Sequence, residues 1–106
     1  MRFLLLSALL FSTAVAILDV IVYMHTGFSG PNAAFRTDFR NPSHCVELGS
    51  FWNDRVSSID TKGNCVIVFE DGGCTGRRVI IQPGSGCLSD LSECGMNDAI
   101  SSMREC

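Results

Sequence analysis

The sequence has little with which to grip a polyanion: eight Lys and Arg stand against eleven Asp and Glu, a formal net charge of −3. That balance speaks against a nucleic-acid surface and favours solubility or affinity for cations. Histidine is also scarce, with only His25 and His44, so a serine or cysteine nucleophile has almost no choice of base. His25 falls in a turn-like segment, and His44 lies beside a cysteine expected to be bonded. Gly84-Ser85-Gly86 lacks the G-x-S-x-G frame of a nucleophile elbow. Asp90 and Glu93 sit in a polar loop where water solvates them, and no enzyme is expected. No C-x-x-C pair occurs, which removes the common zinc frames. No D-x-[DN]-x-[DN]-G loop closed by Glu occurs, which removes the EF-hand.

Long apolar runs are missing too. Residues 3–11 are apolar apart from Ser7, well short of the roughly 20 residues that span a bilayer. With Arg2 before them and the small residues Ser12, Thr13, Ala14 and Ala16 after them, they read as a secretory leader cut after Ala16. The expectation is a secreted, extracellular protein with no membrane contact after cleavage. Residues 17–106 keep all eleven acidic side chains and all basic ones except Arg2, for a net charge of −4. Ninety residues make one domain, in which a single core leaves stability marginal unless something is added.

What is added is cysteine. Cys45, Cys65, Cys74, Cys87, Cys94 and Cys106 all follow the leader, and an even number in a short secreted chain reads as three disulfides. Six cysteines allow fifteen pairings. The one pair expected from the sequence is Cys87–Cys94, which would order the polar segment leading to residue 97.

The chain also contains itself twice. Residues 20–30 read VIVYMHTGFSG and residues 66–76 read VIVFEDGGCTG, an offset of 46. NDRVSS at 53–58 returns as NDAISS at 97–102, an offset of 44. A single Asn-Asp could be a turn cap, and a single Ser-Ser an exposed strand. The order aromatic, glycine, Asn-Asp, Ser-Ser met twice in ninety residues is a repeat. Each copy opens on a β-branched run ending in Tyr23 or Phe69, followed by turn formers with glycine available for positive φ. Residues 77–81 continue as a strand, residues 45–48 and 56–59 supply later strands of copy one, and 87–88 and 100–103 those of copy two. About eight short strands, and no helix after the leader, suggest an all-β Greek-key sandwich.

These residues resemble a βγ-crystallin domain over residues 18–106. The family's motif has an aromatic, four residues, a second aromatic, one residue and a glycine. Tyr23, Phe28 and Gly30 fit it fully; Phe69 and Gly76 fit with Cys74 in place of the second aromatic. Calcium-binding members add the loop Asn/Asp, Asn/Asp, two residues, Ser/Thr, Ser, and both copies have it. The resemblance implies a two-sheet sandwich of two motifs, about 18–62 and 63–106, that exchange a strand, with two calcium sites. It assigns the first to Asn53, Asp54, the Arg55 carbonyl and Ser57, closed by Glu70. It assigns the second to Asn97, Asp98, the Ala99 carbonyl and Ser101, closed by the hairpin at Met24. Ser58 and Ser102 are expected to hold hairpin backbone.

The function implied is a secreted calcium-binding structural or binding module, whose further partner would be an extracellular protein or glycan. A secreted toxin, effector or protease inhibitor on the same scaffold, acting through exposed loops at 32–44 or 82–94, is the alternative.

Overall fold

The computed structural model describes residues 17–38 and 44–106; the leader expected at 1–16 lies outside them. Each repeat begins with a hairpin. In the first, β1 (Ile17–His25) pairs antiparallel with β2 (Ser29–Asp38); in the second, β5 (Val66–Asp71) pairs with β6 (Thr75–Ile81). The ends of the repeats supply β4 (Ser58–Asp60), paired with β1, and β7 (Ser102–Glu105), paired with β5. Strand β3 (Val46–Glu47) crosses over. It leaves its own repeat and pairs with β7 of the other, Val46 opposite Met103 and Glu47 opposite Ser102. The sheets are thus β2-β1-β4 and β3-β7-β5-β6.

The core lies between the sheets. Val20 and Val22 point inward from β1 with the two-residue period of a half-buried strand, and Val66 and Val68 do so from β5, whose Ile67 and Phe69 are buried as well. Ile59, Met103 and Ile81 meet them, with Val56, Leu91, Met96 and Ile100 from the connecting loops closing one end. Each of these is at most 1% exposed.

The structure departs from the sequence reading in three places. A single helical turn, α1 (Gly49–Trp52), follows β3 where no helix is expected. Residues 32–38, placed in an exposed loop by the sequence, continue β2, because the β1 hairpin carries its pairing on to Asp38. The strand expected at 87–88 is absent. The segment does run beside β4, since Ile59 N–H donates to Leu88 O and Leu91 N–H donates to Ser57 O, each at 2.9 Å. It then turns into a 3₁₀ turn over Leu91–Cys94, whose first turn Asp90 caps by accepting from Ser92 N–H at 3.0 Å. This turn ends the extended run.

Three disulfides join Cys45 to Cys74, Cys65 to Cys106, and Cys87 to Cys94, with Cα separations of 5.8, 5.5 and 5.8 Å. The last is the pair expected from the sequence. The first two span 29 and 41 residues and stabilise by roughly 3 to 4 kcal/mol each in the chain-entropy model; the third, over 7 residues, by about 2. Alkylation of the denatured, unreduced protein is expected to label no cysteine. Two or more labels, or a peptide joining Cys87 to any partner but Cys94, would contradict this framework.

Candidate metal centre

The two hairpins and the two serine pairs are joined in the same way twice. Ser57 N–H donates to Tyr23 O, and Ser101 N–H donates to Phe69 O, each at 2.9 Å. The second serine of each pair is a lock. Ser58 Oγ donates to His25 O at 2.6 Å and accepts from Phe28 N–H at 3.1 Å. Ser102 Oγ donates to Asp71 O at 2.5 Å and accepts from Cys74 N–H at 2.9 Å. Both serines are fully buried, and each hydroxyl satisfies two part-buried backbone groups of its hairpin. The folded hairpins need glycine beneath them. Gly30 and Gly76 both have φ of +83°, and a Cβ at either would collide with the side chain folded over it, His25 or Asp71.

The Asn-Asp loops dock on each other reciprocally. Asp54 N–H donates to Ile100 O and Asp98 N–H to Val56 O, each at 3.0 Å. Asp54 and Asp98 have φ of 60° and 54°, a left-handed conformation that Asn and Asp tolerate better than other side-chain-bearing residues and that concentrates at functional sites. Asn53 Nδ2 donates to Asp54 Oδ2 at 3.4 Å and Asn97 Nδ2 to Asp98 Oδ2 at 3.3 Å. Each aspartate therefore has one carboxylate oxygen oriented by the asparagine before it.

This docking divides each loop between two places. An open cleft of about 610 Å³ collects Asn53 and Asp54 from the first loop, Glu70 and Asp71 from the second hairpin, and Ser101 from the second loop. At the first hairpin stands Ser57, whose Oγ donates to Asp98 Oδ1 at 3.3 Å. The sequence reading grouped Ser57 with Glu70 and Ser101 with Met24; the structure places each serine at the hairpin of its own repeat. The reason is strand pairing. Ser57 leads into β4 on β1, and Ser101 into β7 on β5, whereas the Asn-Asp segment of the first loop follows the exchanged β3. Arg55 turns its side chain away, its guanidinium lying 5.2 Å over the Phe51 ring. Ala99 borders a smaller cleft with Asp54, Asp98, Glu70 and Asp71.

The charge around the larger cleft is negative but partly compensated. Arg77 donates to Glu70 Oε2 from Nε at 3.1 Å and from a terminal nitrogen at 3.0 Å, an exposed pair worth little to stability. Asp71, next to Glu70, is the second carboxylate that the sequence offers at this hairpin, and Glu47 is a third that it does not. Only the exchange of β3 brings Glu47 to the second hairpin. Among the described residues no three His, Cys, Asp or Glu side chains gather as a metal cluster. A cation here would rest on a mixture of carboxylate, hydroxyl and main-chain carbonyl oxygens. That suits a hard ion which takes six to eight oxygens at about 2.3 to 2.6 Å. The 3.3 Å between Ser57 Oγ and Asp98 Oδ1 is close to the roughly 3 Å expected of neighbouring oxygens around such an ion.

The beta/gamma crystallin family model matches residues 19–106. The chain belongs to the βγ-crystallin family. Among solved structures it is similar to a βγ-crystallin from an archaeon, at 29% identity and a TM-score of 0.65 over 88% of this chain and 99% of the other. It is similar also to the βγ-crystallin of Ciona intestinalis, at 25% identity and a TM-score of 0.66 over 84% and 100%. No curated protein matches by sequence. As a βγ-crystallin the chain carries its two motifs in one sandwich, and members of the family are typically structural or binding modules rather than enzymes. The disulfide at Cys74 occupies the position where the first motif packs Phe28 edge-on against Tyr23, ring centres 5.8 Å apart.

Proposed function

We propose that this βγ-crystallin is a secreted module that binds calcium at two unequal sites, residues 1–16 being removed as its leader. The observation that supports it best is the reciprocal docking of the NDRVSS and NDAISS loops, which brings an aspartate of one loop to a serine of the other. One site takes Ser101, Asn53, Asp54 and the Glu70 hairpin. The other takes Ser57, Asn97, Asp98 and the Met24 hairpin, with the Arg55 and Ala99 carbonyls as further oxygens. The first is the stronger, because Asp71 beside Glu70 adds negative charge that Met24 and His25 do not supply, and calcium affinity rises with ligand charge.

A ligand that binds only the folded state stabilises it by RT ln(1 + [L]/Kd), about 2.7 kcal/mol per site at a hundred times Kd. The melting temperature is expected to rise by several degrees from excess chelator to excess calcium, with magnesium far less effective. Equal melting temperatures in chelator and calcium would end the calcium reading.

A further inference from the structure

We propose that the Cys45–Cys74 bridge and Glu47 are positioning elements for the cleft at the second hairpin, so that its cation affinity depends on them while that of the first hairpin does not. The proposal rests on the calcium reading above and adds to it the means by which one site is made stronger.

The cleft is assembled from two segments far apart in the chain. On one side are the end of β3, α1 and Asn53-Asp54; on the other, Glu70 to Gly72. Every residue lining it except Ser101 lies between Cys45 and Cys74. The bridge therefore closes a covalent ring around nearly all of the site. It is anchored one residue before β3 and within the hairpin turn itself. Glu47 makes a second tie at the same place, its Oε2 accepting from Gly73 N–H at 2.7 Å.

The first hairpin is held differently. Its equivalent amide, Gly27 N–H, donates to the main-chain carbonyl of Ser89 at 2.7 Å, and Phe28 packs on Tyr23 where the second hairpin has its disulfide. Side-chain and covalent ties at one hairpin thus replace main-chain and aromatic ties at the other. Fixing two halves of a site in their bound arrangement raises affinity by removing the ordering that binding would otherwise demand.

Calcium titration by calorimetry on the secreted protein and on a Cys45→Ser/Cys74→Ser variant tests this. The wild type is expected to show two classes of site. In the variant the tighter should weaken by about tenfold or more, a loss typical of removed preorganisation, with the weaker unchanged. On the intact disulfide framework, Glu47→Ala should weaken the same site and speed amide exchange at Gly73 in the calcium-free protein. Glu47→Gln, which keeps an oxygen for that N–H, should restore slow exchange and most of the affinity. Two unchanged sites, or two sites weakened equally, in a variant that keeps its β-sheet circular dichroism would overturn the proposal. If the double variant does not fold, Glu47→Ala decides on the bridged protein, and unchanged affinity and exchange there overturn it. A wild type that takes up no calcium overturns the calcium reading together with it, an outcome the wild-type titration alone identifies.

Discussion

Ser102→Ala is expected to lower the stability of the calcium-free protein by about 2 to 4 kcal/mol, more than any conservative change at an exposed position. The hydroxyl is fully buried and joins two backbone groups of the second hairpin, Asp71 O and Cys74 N–H. Alanine leaves both part-buried groups without that partner, and each costs toward the lower end of the roughly 1 to 3 kcal/mol of a buried orphan. Ser58→Ala is expected to do the same at the first hairpin, where the partners are His25 O and Phe28 N–H. The Cys45–Cys74 bridge still holds the second hairpin when its hydroxyl is gone, so Ser58→Ala should be the more damaging of the two. Thermal unfolding in chelator measures both. At about 4 to 8 °C per kcal/mol for a domain of this size, a fall of less than about 4 °C in either variant would show that the serine is not the lock described.

The fold was legible because the repeat is strong and each signal has a local physical cause. The β-branched runs, the turn glycines and the second serine of each pair act within a few residues, and the two hairpins and the locks Ser58 and Ser102 fall where the sequence places them. The Cys87–Cys94 bridge was legible for the same reason, its partners being close in sequence. What the sequence did not show depends on the exchange of β3. Glu47 reaches Gly73 and Cys45 reaches Cys74 only because a two-residue strand pairs with β7 of the other repeat, a partnership that no local pattern announces. The division of the Asn-Asp-x-x-Ser-Ser loop was hidden likewise. Read as a string it is one ligand set, but its two halves obey different strand pairings. The missing eighth strand has a local cause that the pattern of apolar residues did not reveal, since Asp90 and the 3₁₀ turn win over the β preference of Cys87 and Leu88.

The division of the two loops has a large, site-specific consequence. Ser101 and Asp54 belong with Glu70 in the more negative cleft, whereas Ser57 belongs with the first hairpin. Removing one oxygen ligand from a calcium site should weaken it roughly tenfold, a change of about 1.4 kcal/mol. Asp54→Ala also removes a charge, and with it more affinity than Ser101→Ala. Asp98 touches Ser57 and borders the smaller cleft with Asp54, so it does not discriminate between the sites. The deciding measurement is a calorimetric calcium titration of Ser57→Ala, Ser101→Ala and Asp54→Ala beside the wild type, each confirmed as folded in chelator. Ser101→Ala and Asp54→Ala are expected to weaken the tighter site, and Ser57→Ala only the other. If Ser57→Ala instead weakens the tighter site, or falls in one class with Asp54→Ala, the loops are not divided as described.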